Sequence, residues 1–238
     1  MNSSSPDTPI TLALDIGGSA LKAALLDAHG HLLGECVRVS TPRPAVPQSI
    51  LRTLQDQAGM MPLPFDRVSA GFPGVVRAGI VATAPNLDPA WHGVNLHQEL
   101  QDRLNKPARA ANDADVQGLG CIRGQGVELV LTLGTGMGSA LFCHGRLVPN
   151  LELGHHPFAD GHTYEELLGK QARHAHGHVA WQQNLLRALA LLQRIFNPDT
   201  LYLGGGHAAE IDCPLPPRVL TVANVNGLLG GVRLWTAT

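Results

Sequence analysis

The sequence predicts an α/β protein built from two related halves, each a mixed sheet carrying helices, with a cleft between the halves. Three observations carry that expectation. Two distant stretches, "LALDIGGSALKAALLDAHGHLL" (12–33) and "LVLTLGTGMGSALFCHGRLV" (129–148), share one pattern of apolar strand, Gly-rich turn, second strand, glycine turn and third strand. Helical and strand-like spacings then alternate behind each copy. Glycines gather where strands end, at Gly17, Gly134 and Gly204, which is where α/β sheets receive ligands.

Each element follows in order. Residues 1–9 read as a disordered head, and "LALDI" opens the first half as a strand. In the paired copies Asp15 aligns with Thr132, Gly17 with Gly134 and Gly30 with Gly145, so a third strand is expected directly after each of the last two glycines. "PQSILRTLQDQA" begins at Pro47 and sets Ile50, Leu51, Leu54 and Ala58 on one helical face. "DRVSAGFPGVV" reads as a strand ending in a turn, and "NLHQELQDRLNK" as a helix with Leu96, Leu100 and Leu104 aligned. "ARAANDAD" is a short strand whose Asn112-Asp113 pair could cap the next helix, and the first domain (10–113) ends there. The second domain, 114–238, has a helix from Val179 to Phe196 stopped by Asn197-Pro198, then the strand "TLYLGGGH" and a closing strand and Gly-bearing helix that packs back on the first domain.

Composition narrows the function. Lys and Arg total 17 in 238 residues at a net charge of −2, which leaves no polybasic surface for nucleic acid. No apolar run has the length of a membrane span, and no basic n-region precedes an apolar one, so neither membrane nor export is expected. Cys36, Cys121, Cys143 and Cys213 are scattered and read as reduced thiols of a cytoplasmic protein.

"TLGTGMGS" (132–139) can wrap phosphate with its backbone amides. Gly134, Gly136 and Gly138 give G-x-G-x-G followed by a hairpin, whereas a dinucleotide loop is G-x-G-x-x-G opening a helix. The phosphate is therefore read as a phosphoryl donor's.

"LDIGGSALKAALLD", "AGFPGVV", "TAPNLDPAWHGVNL", "NDAD", "TLGTGMGSALFCHGRLVPNLELGHH" and "LYLGGG" occur in the order seen in ROK sugar kinases, and the chain resembles that family over residues 10–235. Within the family, "LVPNLELGH" looks most like the polyphosphate glucokinases. The resemblance implies the duplicated actin-like and hexokinase-like (ribonuclease H-like) fold. It also implies transfer of a phosphoryl group from polyphosphate or ATP, with Mg²⁺, to the 6-hydroxyl of glucose. Alternatives are another hexose (fructose, mannose or an amino sugar) or a sugar-binding ROK protein without turnover. A DNA-binding version is disfavoured, because about ten residues precede the first strand. Relatives of the family suggest a homodimer.

The same resemblance implies roles. Asp113 would be the general base, with Asp115 its local competitor and helix capping the structural reading of both. Asn112, Asn86, Glu152, His155 and Glu165 would contact the sugar, Glu166 competing with Glu165. Asp15 would hold Mg²⁺ through water. Gly17, Gly18, Ser19 and Lys22, then Thr132, Gly134, Thr135 and Gly136, and then Gly204 and Gly205, would meet the donor phosphates or nucleotide. Ser139 is expected among the hydroxyls of the second loop. Many ROK proteins add three cysteines to the His155 position as a zinc site; "HHPFADGHTYEELLG" has none, so no structural zinc is expected. "HAHGH" (174–178) reads as a surface run.

Two departures bear on the donor and on packing. After "GGG" (204–206) the chain lacks a helix that the family carries close to adenine, which a base-free donor such as polyphosphate would tolerate. Against that donor, the three lysines, Lys22, Lys106 and Lys170, make a thin basic track. The donor stays open between polyphosphate and ATP. Gly118 and Gly120 sit inside the helix after Asp113, at a cost of about 1 kcal/mol each.

Overall fold

A computed structural model describes residues 8–222 and 226–236; residues 1–7 of the expected head lie outside it. The chain divides into two compact units, one running to Gly120 and resuming at Gly227, the other spanning Cys121–Asn226. Among the described residues no helix is long and apolar enough to cross a membrane.

In the first unit β1 (Thr11–Ile16), β2 (Ala20–Leu26) and β3 (Val37–Ser40) form an antiparallel meander. Helix α1 (Pro47–Gly59) crosses to β4 (Arg67–Phe72), which pairs in parallel with β1. The small hairpin β5 (Val76–Arg77) and β6 (Ile80–Val81) and helix α2 (Leu96–Leu104) lead to β7 (Ala108–Asn112), parallel to β4. Helix α3 (Asp113–Cys121) follows at once, and the sheet order is β3-β2-β1-β4-β7. One face of this sheet is the main core, in which Leu12, Leu14, Phe72 and Trp91 pack with Ile50, Leu51 and Leu54 of α1 and with Leu96 and Leu100 of α2. These are the positions the helical spacing predicted to face inward.

The second unit repeats the plan. It starts with β8 (Val127–Leu133), β9 (Met137–Cys143) and β10 (Arg146–Val148), joined at His144-Gly145 by a two-residue turn with positive φ at both positions, as tight hairpins require. After the short pair β11 (Pro157–Ala159) and β12 (His162–Thr163) come α4 (Tyr164–Leu168) and α5 (Lys170–Phe196). Strand β13 (Thr200–Gly204) is parallel to β8, β14 (Val219–Thr221) is parallel to β13, and the order is β10-β9-β8-β13-β14. Its core sets Trp181, Leu185, Leu189 and Leu192 of α5 against Leu129, Leu131, Leu201 and Leu203. The two sheets thus have the same strand order, sense for sense.

The last helix, α6 (Asn226–Arg233), belongs to the first unit, where Leu228 and Val232 cover Ala13, Ala24 and Leu26 on the second face of the sheet. A Cβ at Gly230 would run into the Val116 carbonyl and come within 2.8 Å of the Gly120 nitrogen. The glycine in α3 that looked costly is therefore part of a close helix–helix approach.

Two elements differ from expectation. The third strand of the first copy does not resume after Gly30. The Asp27 carboxylate accepts the N–H groups of His29 and His31 at 2.8 Å each, and the chain touches the sheet after Gly30 only in a single bridge, Leu32 to Leu26, before the strand proper starts at Val37. Helix α5 starts nine residues before Val179, at Lys170, and breaks at Gly177 (φ 81°, ψ 167°), so the segment with His174 and His176 is a separate helical piece.

Candidate active site

In the first unit, parallel pairing sets the strand ends side by side. Asp15 lies opposite Gly71, and Phe72 opposite Asn112, so Asp15, Gly71 and the Asn112-Asp113 step form one row at the carboxyl edge of the sheet. Gly71 leaves room for this row, since a Cβ there would stand 3.4 Å from the Asp113 Cα. Asp113 is the first residue of α3, half-buried, with Oδ1 2.8 Å from the Ala114 nitrogen. Asn112 is buried and its amide is spent on backbone: Oδ1 accepts from the N–H groups of Ala114 and Asp115, and Nδ2 donates to the Gly74 carbonyl. That arrangement is the capping role of Asn112.

Across the β1–β2 ladder Lys22 Nζ meets Asp15 Oδ2 at 2.8 Å. The turn between them is braced from outside. Thr41 Oγ1 donates to the Gly17 carbonyl at 2.6 Å, the Arg43 guanidinium donates to the Gly18 carbonyl at 2.7 Å, and the Asn86 backbone closes on Gly18. The exposed Asn86 side chain therefore stands next to the first glycine turn.

In the second unit the matching turn is held from behind. The carbonyls of Gly134 and Thr135 accept the N–H of Lys170 at 3.0 and 3.2 Å. Because a trans peptide points C=O and the next N–H in opposite directions, the N–H groups of Thr135 and Gly136 face the other way, outward. Such a pair of amides is an anion-binding concavity. Gly204 lies opposite Thr132 in the β13–β8 ladder, and Gly205, at φ +84°, packs on Leu133 so closely that a Cβ would collide with its backbone. The expected donor residues of this unit are thus brought together at one sheet edge. Beyond Gly205 the short segment borders an open hollow of about 430 Å³, lined by residues that include Gly205, Gly206, Ala208, Ile211, Thr221 and Val222.

On the same unit Glu152 and His155 lie 3.6 Å apart in the turn after β10. Burial pushes the Glu152 carboxyl above the usual range, the neighbouring Glu165 charge adds to the rise, and His155 opposes it. Glu165 comes from α4, and its Oε2 accepts the Met137 N–H at 3.2 Å. Glu166 is committed elsewhere: it closes a capping box with Thr163 at the start of α4. The Thr163 amide first, with the neighbouring His162, stabilises its carboxylate and holds its pKa below the usual range.

The ROK family model matches residues 11–165, and the chain is 31% identical to the polyphosphate glucokinase of Mycobacterium leprae over 94% of its own length and 74% of that protein's. The chain belongs to the ROK family. The polyphosphate glucokinase of Mycobacterium tuberculosis is 30% identical over 91% of this chain and 88% of its own. Among solved structures, the inorganic polyphosphate/ATP-glucomannokinase of Arthrobacter sp. strain KM superposes with a TM-score of 0.87 at 32% identity, covering 97% of this chain and 99% of that one. The actin-like and hexokinase-like architecture expected from the motifs is the one found.

Seen as a ROK protein, the chain contains site residues that sequence reasoning missed or misread. Ser139 is buried, donates to the Leu151 carbonyl and accepts the Leu153 N–H at 3.1 Å. It ties the second glycine strand to the turn of Glu152 and His155, and its hydroxyl proton is committed to the Leu151 carbonyl. Thr41 and Arg43, which brace the first glycine turn, lie in "STPRP", which carries no periodic or motif signal of its own. His178 of the surface run has company, lying 3.3 Å from Asp212. Asp15, a partly exposed carboxylate, suits Mg²⁺, which keeps several waters and takes few protein oxygens.

Proposed function

We propose that this ROK-family chain is a sugar kinase that transfers a phosphoryl group from polyphosphate or ATP to the 6-hydroxyl of glucose. The observation that carries the reading is the row of Asp15, Gly71 and Asp113 at the strand ends of a sheet whose duplicate presents a second glycine turn. Glu152 accepts sugar hydroxyl protons, and His155 both donates and accepts. Asp113 orients the 6-hydroxyl and takes its proton as the bond to phosphorus forms, while the shortened polyphosphate or ADP leaves. Each glycine turn by itself offers backbone amides suited to donor oxygens. Asp15, through water, would hold Mg²⁺, which when bound offsets negative charge on the donor oxygens.

For ATP, the open hollow beside Gly205 is where a base would lie. The Arthrobacter relative is named for both donors and for glucose and mannose, which favours a chain that accepts either donor and mannose as a second sugar. The four cysteines are free thiols, in keeping with a cytoplasmic setting. Formation of glucose 6-phosphate by the purified protein with Mg²⁺ and each donor in turn tests the reading. Product with polyphosphate, with ATP or with both supports it, and product from neither refutes it.

A further inference from the structure

We propose that Arg173 and Glu210 are positioning residues for a nucleotide donor: their ion pair clamps the 206–212 segment to α5 and so fixes one wall of the hollow beside Gly205. The inference rests on the kinase reading above and deepens it, since the clamp bears on ATP and not on polyphosphate.

The segment leaves β13 through Gly205 and makes a short 3-10 turn over Gly206–Glu210. Glu210 is held twice, by the ion pair with Arg173 and by His207, whose Nδ1 lies 2.9 Å from Glu210 Oε1. Two residues on, Asp212 Oδ1 accepts from Gln182 Nε2, and its Oδ2 lies 3.3 Å from His178 Nε2. Arg173, His178 and Gln182 all belong to α5. The first two meet at Trp181, which is fully buried: the Arg173 guanidinium stands 6.0 Å from its ring centroid, and the His178 ring stacks on it at 6.1 Å. In an unbroken helix, positions 173 and 178 would point about 140° apart. The break at Gly177 (φ 81°, ψ 167°) lies between them, and both side chains reach the same short segment. His178, expected as part of a surface run, is thus one arm of the clamp.

The residues lining the hollow have different supports. Thr221 and Val222 are held by the sheet, where the Val222 N–H donates to the Leu203 carbonyl at 2.9 Å. Gly206, Ala208 and Ile211 come from the segment that the clamp ties to α5. Gly205 is fixed separately, by its close fit against the Leu133 backbone. Loss of the clamp would therefore loosen the wall that a base touches and leave the glycine edge in place. A wall already fixed spares the cost of ordering it on binding. Polyphosphate has no base to lay there and gains nothing from it.

The test compares Arg173→Met, Glu210→Gln and the double variant with wild type, reading the KM for ATP and for polyphosphate with Mg²⁺ and saturating glucose. Turnover with polyphosphate is the internal control for folding. Loss of this partly exposed ion pair predicts an ATP KM raised about three- to tenfold in each single variant, with the polyphosphate KM changed less than about twofold. The double variant should be no worse than the poorer single one, because both changes remove the same contact. An ATP KM that does not move would overturn the proposal. So would equal losses with both donors, the mark of general loosening, or losses that add fully in the double variant. Wild-type protein that turns over polyphosphate but neither uses nor binds ATP also overturns it, and leaves the kinase reading standing. If no product forms with either donor, the kinase reading fails, and calorimetric titration with ATP decides the clamp. Weaker ATP binding in the variants then supports it, and unchanged or absent binding overturns it.

Discussion

Lys22 Nζ sits 2.8 Å from Asp15 Oδ2, directly across the first hairpin and one residue before its glycine turn. The ammonium offsets the charge of the carboxylate proposed to hold Mg²⁺ and, under the proposed function, would attract a polyanionic donor. Replacing it lowers attraction for the donor and raises attraction for the cation. Lys22→Met is expected to raise the donor KM and lower the Mg²⁺ concentration for half-maximal rate, each by about two- to fivefold for a partly exposed pair. Initial rates over a grid of donor and Mg²⁺ concentrations check both shifts, and the difference from wild type should shrink at high salt.

Glu152 gives a pH signature. Burial first, then Glu165, raises its pKa above that of an ordinary glutamate, so it takes up a proton at a higher pH than the unfolded chain does. Its contribution to stability is complete below the usual glutamate pKa and is lost as pH rises through the raised value. At neutral pH the raised value is consequently a cost to folding. Glu152→Gln should melt slightly higher than wild type at pH 7, with the gap closing on acidification, yet bind glucose at least about tenfold more weakly. Melting curves and glucose titrations across pH 4–8 measure both.

A second buried carboxylate is structural. Glu128 is 1% exposed and accepts the N–H groups of Arg123, Gly124 and Gln125 and the hydroxyl of Tyr202. It fastens the loop that leads into β8. Burial and the Glu128 charge push the Tyr202 hydroxyl up to about 12. The stability that this bond adds is therefore intact at neutral pH and fades only between the ordinary tyrosine pKa and that value. Glu128→Leu, which orphans three amides and the phenol, should cost about 3 kcal/mol or more, and Tyr202→Phe about 1–2 kcal/mol. Denaturant unfolding curves read both losses.

What could be read in the sequence was what is local or repeated. The two glycine hairpins, the helical faces of α1 and α2, and Asp15 and Asp113 at strand ends all follow from spacing within a dozen residues. Long-range partners left no such trace. The Glu165–Met137 and Ser139–Leu151 bonds, the four donors on Glu128, and the fit of Gly230 against Val116 each join positions that periodicity treats independently. Periodicity reports which face is buried, not against what. Ser139 shows the consequence: a hydroxyl beside a glycine loop reads as a phosphate ligand until the turn that occupies it is seen. The misplaced third strand has the same origin, since Asp27 looked like any loop carboxylate while its side chain was building the turn.

The central claim is that Asp113 takes the proton from a sugar hydroxyl that attacks a phosphate donor. The most direct measurement sets wild type beside Asp113→Asn, following glucose 6-phosphate formation with Mg²⁺ and polyphosphate or ATP, and glucose binding by calorimetry. The variant keeps the shape and the α3 start but cannot accept the proton. The predicted result is turnover by the wild type, a loss of about a hundredfold or more in the variant, and glucose affinity close to unchanged. A variant that turns over at near wild-type rate would contradict the account, as would a wild-type protein that forms no product with either donor.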